Sequence, residues 1–585
     1  WWAAVAVTAC LLPTTAYAAE GSRFREAATG TRWGVATDSP YAAEAAVAVL
    51  SQGGNAVDAA VTAVFTMGVV RPDMCGIGGG GFLVYRGADG TNAALDFREK
   101  SPALNYRFSD GIGLKGTPAY SRGTGHNVVG VPGVVAGMHA ALAKLGTIGL
   151  GRAVTPAADL AERGFTVSAS LAASYYRQVD LRLFPASALA YLKHGLVAYE
   201  TGDTMKLLDY AKSLRLIGRD GPGAFYEGAI AQAIVQEMGR PSPYPEDRSA
   251  MSAKDLKDYG TSGAVWRTPL TGQYRGHQVV AMPPPASGGI ATIEMLNVLE
   301  GFRLASIGPS SADHLHLFAE AQKIAWADRN RYVADPDVVK VPTAELTDRS
   351  YARERRTEID LARAKEYDPG VFDGFTASSS QQEPGSHTTH ISVIDGGGNA
   401  VAITCSIEQP FGSAVVAPGT GFLLNNQLTD FTEPRPGEAP PANAPALGKR
   451  PRSSMSPTII ASGDRPVLVA GGAGGATIIG GVVQLVVNTV DFDMNVAHAI
   501  DAERVDARGF GDFLNVEHTR VADPVLTDLA ARGHDLNRAG EYGGLSNPKP
   551  IFSAGLPVLT AVAREGAHTR AAVSDPRGEW GSAAG

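Results

Sequence analysis

The chain has 585 residues, three cysteines and a formal net charge of −8, with 44% hydrophobic and 19% charged residues. That composition belongs to a large globular core, and the negative balance argues against nucleic acid or an anionic membrane as a partner. Length alone suggests about four domains of ~150 residues, but no long linker and no internal repeat divides the sequence.

Residues 1–18 form a short apolar run ending in Ala16-Tyr17-Ala18, which reads as a secretory signal peptide cut after Ala18. Cys10 also loosely fits a lipoprotein signal, but it lies inside the apolar run. Beyond this leader only Cys75 and Cys405 remain. Two cysteines make neither a disulfide framework nor a cysteine metal site; one disulfide of an exported protein and two buried thiols both stay open. Helices are predicted over 41–51 and 56–70, with Gly53-Gly54-Asn55 as stop and restart. Gly76-Ile77-Gly78-Gly79-Gly80-Gly81 formally matches a dinucleotide fingerprint, yet 82–85 continues as a strand where the fingerprint needs a helix. A strand at 93–97 ends in Arg98-Glu99. Apolar spacing of three and four predicts helices at 132–144, 152–163, 205–217, 224–238 and 252–259. Strands near 266–271 and 277–282 precede a long helix opened by residues 283–289, and a further helix spans about 311–333. Strands return at 389–395, 400–406, 420–425, 457–462 and 467–471, then a helix at 476–490 and strands near 548–552, 558–563 and 570–574. The nearly uncharged stretch 467–487 carries six glycines in pairs, which break a membrane helix. A strand, a glycine turn and a helix account for it, so the mature form is expected to be free of the membrane. Strands at both ends with helices between them predict sheets sandwiched by helices.

The stretch from Thr388 stands apart. Ile391, Val393, Val401 and Ile403 alternate with small polar residues around a glycine turn at 396–399, the pattern of a half-buried hairpin. Upstream, 376–387 is Ser, Gln, Thr, Gly and Pro with Glu383 and His387, without periodicity. Such an approach running into a strand that begins with Thr suggests a cut between His387 and Thr388. The cut would leave an α-amine, pKa roughly 7.7–8.0, beside the Thr388 hydroxyl it has to activate.

Gly53-Gly54-Asn55-Ala56-Val57-Asp58-Ala59-Ala60, residues 78–82, Asp96-Phe97-Arg98-Glu99 and Met282-Pro283-Pro284-Pro285-Ala286-Ser287-Gly288-Gly289 occur in order. They are followed by Thr388-Thr389-His390, residues 422–431, Lys449-Arg450-Pro451-Arg452-Ser453-Ser454-Met455-Ser456-Pro457-Thr458 and Ser574-Asp575-Pro576-Arg577. With these motifs the chain resembles the gamma-glutamyltransferase (gamma-glutamyltranspeptidase) family of N-terminal-nucleophile hydrolases over residues 32–577. The resemblance implies an α+β fold, a four-layer αββα sandwich, and a precursor that cuts itself. A large subunit of residues 19–387 and a small one of 388–585 would form one compact unit. It implies no metal and no organic cofactor; the partners are a γ-glutamyl substrate and an amine acceptor or water. Thr388 corresponds to the nucleophile, Ser406 to its supporting hydroxyl, and Gly474 with Gly475 to the oxyanion hole. Arg98, Ser453 and Ser454 match donors to the substrate α-carboxylate, for which a planar guanidinium suits; Gln427 and Asp430 match binders of its α-amino group. Asn425 is read as a turn residue outside the site.

Three departures are visible. The family commonly has Thr where Ser406 stands, which keeps the hydroxyl. Well-studied members place Asn where this chain has Glu408, a carboxylate able to bind an ammonium. The loop between Phe431 and Ser453 is short, Pro/Ala-rich and free of aromatic residues, an open pocket suited to bulkier substrates and to water. The resemblance implies an exported γ-glutamyl-transfer enzyme. The alternatives are a glutaryl (cephalosporin-type) acylase or a poly-γ-glutamate depolymerase of the same family, and, from another class, a non-catalytic binding protein.

Overall fold

The computed structural model describes residues 24–585 except 103–122, 177, 179, 244–250, 376–386, 435–436, 509–512, 539–555, 567 and 580. The predicted leader, the approach at 376–386 and the predicted strand at 548–552 lie outside the described residues. In chain order the strands are β1 (Ala28–Gly30), β2 (Gly34–Thr37), β3 (Gly80–Arg86), β4 (Asn92–Asp96), β5 (Phe165–Thr166) and β6 (Thr204–Met205). They continue with β7 (Val265–Arg267), β8 (Leu270–Tyr274), β9 (His277–Ala281), β10 (His387–Ile394), β11 (Ala400–Glu408), β12 (Thr458–Ser462) and β13 (Arg465–Ala473). The last are β14 (Val505–Asp506), β15 (Phe513–Val516), β16 (Asp535–Arg538), β17 (Val558–Glu565), β18 (Thr569–Ser574) and β19 (Gly581–Ala584).

Two seven-stranded sheets carry the fold, in the orders β1-β18-β17-β13-β12-β9-β8 and β19-β2-β10-β11-β3-β4-β7. Period-2 alternation sorts β10 and β11 between two cores. Ile391, Val393, Val401 and Ile403 pack with Val57, Val61 and Phe65 of the helix Ala56–Val70 on one side. Ile394, Ala400 and Ala402 meet Val280, Ile459, Val469 and Val562 of the other sheet between the two. A third core buries Ile460, Leu468 and Ala561 under the helices Ser287–Leu299, Ala312–Tyr332 and Ile478–Val490. Helix, sheet, sheet, helix: the four-layer αββα sandwich is observed.

The Gly53-Gly54-Asn55 break starts the helix Ala56–Val70 with a capping box, Asn55 accepting from Val57 and Asp58 N–H while Asp58 accepts from Asn55 N–H. Asp395, at the hairpin turn, accepts from the Ala56 N–H at 2.9 Å and so ties β10 to that helix start. Cys75 and Cys405 form a disulfide, Cα atoms 5.6 Å apart, which resolves the pairing left open by the sequence. Among the described residues no helix is long and apolar enough to cross a membrane.

Three predicted elements differ. The strand at 266–271 is two strands: Pro269 lacks an amide donor and separates β7, in one sheet, from β8, in the other. The helix at 224–238 is split into Gly223–Tyr226 and Ala229–Met238, where the Glu227 and Gly228 N–H groups both turn back to the Gly223 carbonyl. Residues 420–425 form only isolated bridges, Val416 with Leu423 and Gly78 with Leu424. Beside a few backbone bonds, the Asn425 amide donates to the Gly78 and Gly130 carbonyls at 2.8 Å, so a side chain takes over part of what a ladder would do.

Candidate active site

One pocket is lined by Arg98, Thr388, Ser406, Glu408, Gln427, Asp430, Ser453, Ser454 and Gly475, with Met455, Ala476 and Ile478. All but one of the catalytic and binding candidates read from the sequence therefore meet in one place. Gly474, the residue before Gly475, is not among the lining residues; His387 precedes Thr388 in β10. Asn425 stays outside, as a clamp.

Thr388 is the second residue of β10, where the register with β11 shifts between His387 opposite Glu408 and Thr389 opposite Cys405. It is buried, and its Oγ1 donates to Ser406 Oγ at 3.2 Å. Ser406 Oγ in turn accepts from the Glu408 N–H at 2.9 Å, so this hydroxyl is itself held by backbone. Thr388 shares the strand parity of His390 and Ser392, whose side chains lie between the sheets. His390 bonds Thr404 at 2.8 Å and Ser392 at 3.1 Å, and its ring packs where a side chain on Gly471 would stand. Burial drives the His390 imidazole down to about 3, so it is neutral here.

At the end of β13, Gly474 and Gly475 have φ of +126° and +60°, and the helix Ile478–Val490 follows after one 3₁₀ turn. A Cβ on Gly474 would lie 2.7 Å from Thr477 Oγ1 and 3.0 Å from the Pro557 Cα. Glycine is needed on both counts. Successive left-handed residues before a helix can turn backbone N–H groups toward one anion.

The remaining walls divide by charge. Arg98, wholly buried, donates through Nη2 to Asp430 at 2.5 Å and to the Arg452 carbonyl at 3.1 Å, and through Nε to the Pro451 carbonyl at 3.2 Å. Gln427 Nε2 donates to the same Asp430 oxygen at 2.7 Å. Among the described residues, Arg98 Nη1, Gln427 Oε1 and Glu408 Oε2 are buried without a hydrogen-bond partner. The unmet Arg98 donor and Gln427 acceptor, beside the Glu408 carboxyl, suit a molecule bearing both a carboxylate and an ammonium.

Two carboxyls are held neutral beside this pair. Burial raises Glu408 well above the usual carboxylate range, and the nearby Asp430 charge raises it further, against the opposing pull of Arg98. Glu408 also has a left-handed backbone, φ +82°, rare for a residue with a side chain. Glu99 is pushed up to about 8 by burial, although its Oε2 lies 3.9 Å from Arg98 Nη1. Arg98 commits its short contact to Asp430, so Glu99 gains too little to ionise. Glu99 was not singled out from sequence, although it stands beside Arg98 in the same motif. Nor were Ser287, which bonds the Ser453 carbonyl, and Arg329, which bonds Ser454 Oγ at 2.6 Å.

His316, Glu320 and His534 form a cluster of metal-ligand types outside the pocket. His316 Nδ1 and His534 Nε2 bond each other at 2.8 Å, and Glu320 takes Lys323 at 2.7 Å and the Tyr367 hydroxyl at 2.6 Å. Their ligand atoms are engaged with one another and with a cation.

The αββα sandwich, with a threonine at the start of an inner strand just after His387 and lining the pocket, defines the class of N-terminal-nucleophile hydrolases. The chain belongs to the gamma-glutamyltranspeptidase family, whose profile matches residues 42–585. It is 39% identical over 551 residues to the glutathione hydrolase proenzyme of Escherichia coli, covering 88% of this chain and 90% of that one. It is 37% identical over 530 residues to the acylase ACY 1 proenzyme of a Pseudomonas species, covering 89% and 90%. Among solved structures, the cephalosporin acylase from Bacillus halodurans superposes with a TM-score of 0.81 at 27% identity, covering 96% of this chain and 97% of that one.

Proposed function

We propose that the chain is an exported, self-processing enzyme that cleaves γ-glutamyl amides through a γ-glutamyl-Thr388 ester, resolved by water or by an acceptor amine. Residues 1–18 serve as the export signal. In the precursor the Thr388 hydroxyl attacks the His387 carbonyl, and water hydrolyses the resulting ester. This frees the Thr388 α-amine, ends the large subunit at His387 and starts the small one at Thr388. In the mature enzyme that amine takes the hydroxyl proton as Oγ1 adds to the γ-carbonyl carbon. Ser406 holds Oγ1 in place, and the N–H groups of Gly474 and Gly475 receive the oxyanion. Collapse breaks the C–N bond, and the departing amine collects the proton from the Thr388 ammonium. Water or an acceptor amine then repeats the sequence on the ester and regenerates Thr388.

Arg98, Ser453 and Ser454 bind the α-carboxylate; Gln427, Asp430 and Glu408 bind the α-ammonium. The observation that carries this reading is the contact of Thr388 with Ser406 in a pocket that offers an unmet cationic donor and an unmet acceptor together. Relatives named for glutathione hydrolysis support the γ-glutamyl substrate. Relatives named as acylases support a glutaryl-type acyl group instead, but such a group has no ammonium for Gln427 and Asp430. A γ-glutamyl anilide and a glutaryl anilide assayed side by side, each with and without a dipeptide acceptor, decide the matter. Turnover of the γ-glutamyl donor at least tenfold above the glutaryl one is expected; the reverse order overturns the reading.

A further inference from the structure

Ser453 and Ser454 can serve a carboxylate only if each presents its hydroxyl proton and not its lone pairs. Among the contacts around them, the oxygens already accept from the protein. Ser454 Oγ accepts from Arg329 Nη2 at 2.6 Å, and Ser453 Oγ accepts from the Met455 N–H at 3.2 Å. A guanidinium has donors only, so the direction of the Ser454 contact is not ambiguous: its O–H must point elsewhere. The same Arg329 donates through Nε to Ser287 Oγ at 2.8 Å, and Ser287 Oγ donates to the Ser453 carbonyl at 2.7 Å. Thus one side chain reaches both serines, one directly and one through Ser287.

Arg329 does not line the pocket. It is buried near the end of the helix Ala312–Tyr332, its guanidinium carbon 4.5 Å from the centre of the Trp326 ring, and its Nη1 donates to Asn330 at 2.9 Å. These contacts fix the fork, and the fork fixes the serines. A rotatable hydroxyl is thereby committed as a donor before substrate arrives, an ordering that would otherwise be done during binding.

We propose that Arg329 is a positioning residue for substrate recognition, orienting the Ser454 hydroxyl directly toward the α-carboxylate and holding the Ser453 backbone through Ser287. The proposal rests on the reading of the two serines as carboxylate donors. Kinetics with a γ-glutamyl anilide test it in Ser454→Ala, Arg329→Met, Arg329→Lys and the Ser454→Ala/Arg329→Met pair. Ser454→Ala is expected to raise KM on the order of tenfold. Arg329→Met should raise KM to a similar extent with kcat and self-cleavage little changed, Arg329→Lys should recover part, and the pair should lose no more than the worse single variant. If Ser454→Ala leaves KM unchanged, the carboxylate reading of the serine fails, and the proposal with it. If Ser454→Ala raises KM while Arg329→Met does not, or their losses multiply, or the Arg329→Met loss falls on kcat and cleavage, the reading stands and the proposal is overturned. Should Arg329→Met fail to fold, Arg329→Lys carries the same comparison in the Ser454→Ala background: a multiplied loss overturns it, and no added loss supports it.

Discussion

The two charged walls of the pocket are built on opposite plans. The wall proposed for the carboxylate is made of donors whose positions are set from behind: Arg98 by the Pro451 and Arg452 carbonyls, Ser454 by Arg329, Ser453 by the Met455 N–H. On the wall proposed for the ammonium, the acids Glu408 and Asp430 lie together, both buried, and Glu408 is kept protonated by desolvation and its neighbour's charge. One wall is complete before a ligand arrives, while the other holds a proton that an arriving ammonium would displace. With the proposed roles of these residues, the difference teaches that γ-glutamyl recognition would be fixed at the carboxylate and adjustable at the amine.

The largest effect comes from removing the group both walls serve. Thr388→Ala should abolish self-cleavage and lower turnover by on the order of 1,000-fold or more, whereas Thr388→Ser retains some of each. Gel analysis and anilide turnover check this, and normal processing of the Ala variant would remove Thr388 as nucleophile. Breaking the fixed wall comes next. Arg98→Lys keeps the charge but loses the fork that spans Asp430 and two carbonyls, so kcat/KM for γ-glutamyl donors should fall roughly 10–100-fold, mainly through KM. Unchanged kinetics would take Arg98 out of the site.

The adjustable wall is probed by pH. Because the Glu408 carboxyl is raised in the folded protein, the folded state holds a proton that the unfolded state releases in the ordinary carboxylate range. Its stabilising contribution is therefore full below that range and is lost as pH rises through the folded pKa. Glu408→Gln lacks this loss. Its Tm should gain on that of the parent by on the order of a few degrees between pH 5 and pH 9, in thermal melts at both values. A pH-independent difference would mean that Glu408 does not titrate there.

How far these walls could be read in advance depends on where each residue sits. Arg98, Gln427, Asp430 and the serines lie in contiguous motifs, and there local pattern and family resemblance coincide. Ser287 also lies in such a motif, yet its bond to the Ser453 carbonyl crosses 166 residues. Arg329 is on a helix buried on nearly every side, so apolar periodicity cannot single out its face. The same limit applies to the fold. β10 and β11 alternate cleanly, but β1, β2 and β19 are three or four residues long and exist through partners at the far end of the chain, such as Ala28 with Ala572 and Val35 with Ala583. Pro269 was the visible sign that 266–271 is two strands, and the predicted strand at 420–425 gives way in part to the side chain of Asn425.

The smallest expected effect on activity concerns a contact shared by neither wall. Cys405 precedes Ser406 and Cys75 lies 330 residues earlier, on the other side of the His387–Thr388 bond. After cleavage the disulfide should hold the two fragments together on a denaturing gel without reductant, and Cys75→Ser should release them. Loss of the bond should cost about 2–5 kcal/mol of stability with little change in kcat/KM. Fragments that separate without reductant would show that the pair is not oxidised in the isolated protein.

The central claim is that one hydroxyl first cuts the chain and then the substrate. N-terminal sequencing of the small fragment from purified, active protein, with the intact mass of both fragments, tests it most directly. The account predicts a fragment that begins at Thr388 and a large one that ends at His387, with activity rising in step with their appearance. A fully active chain that remains uncut, or a fragment beginning at another residue, would contradict it.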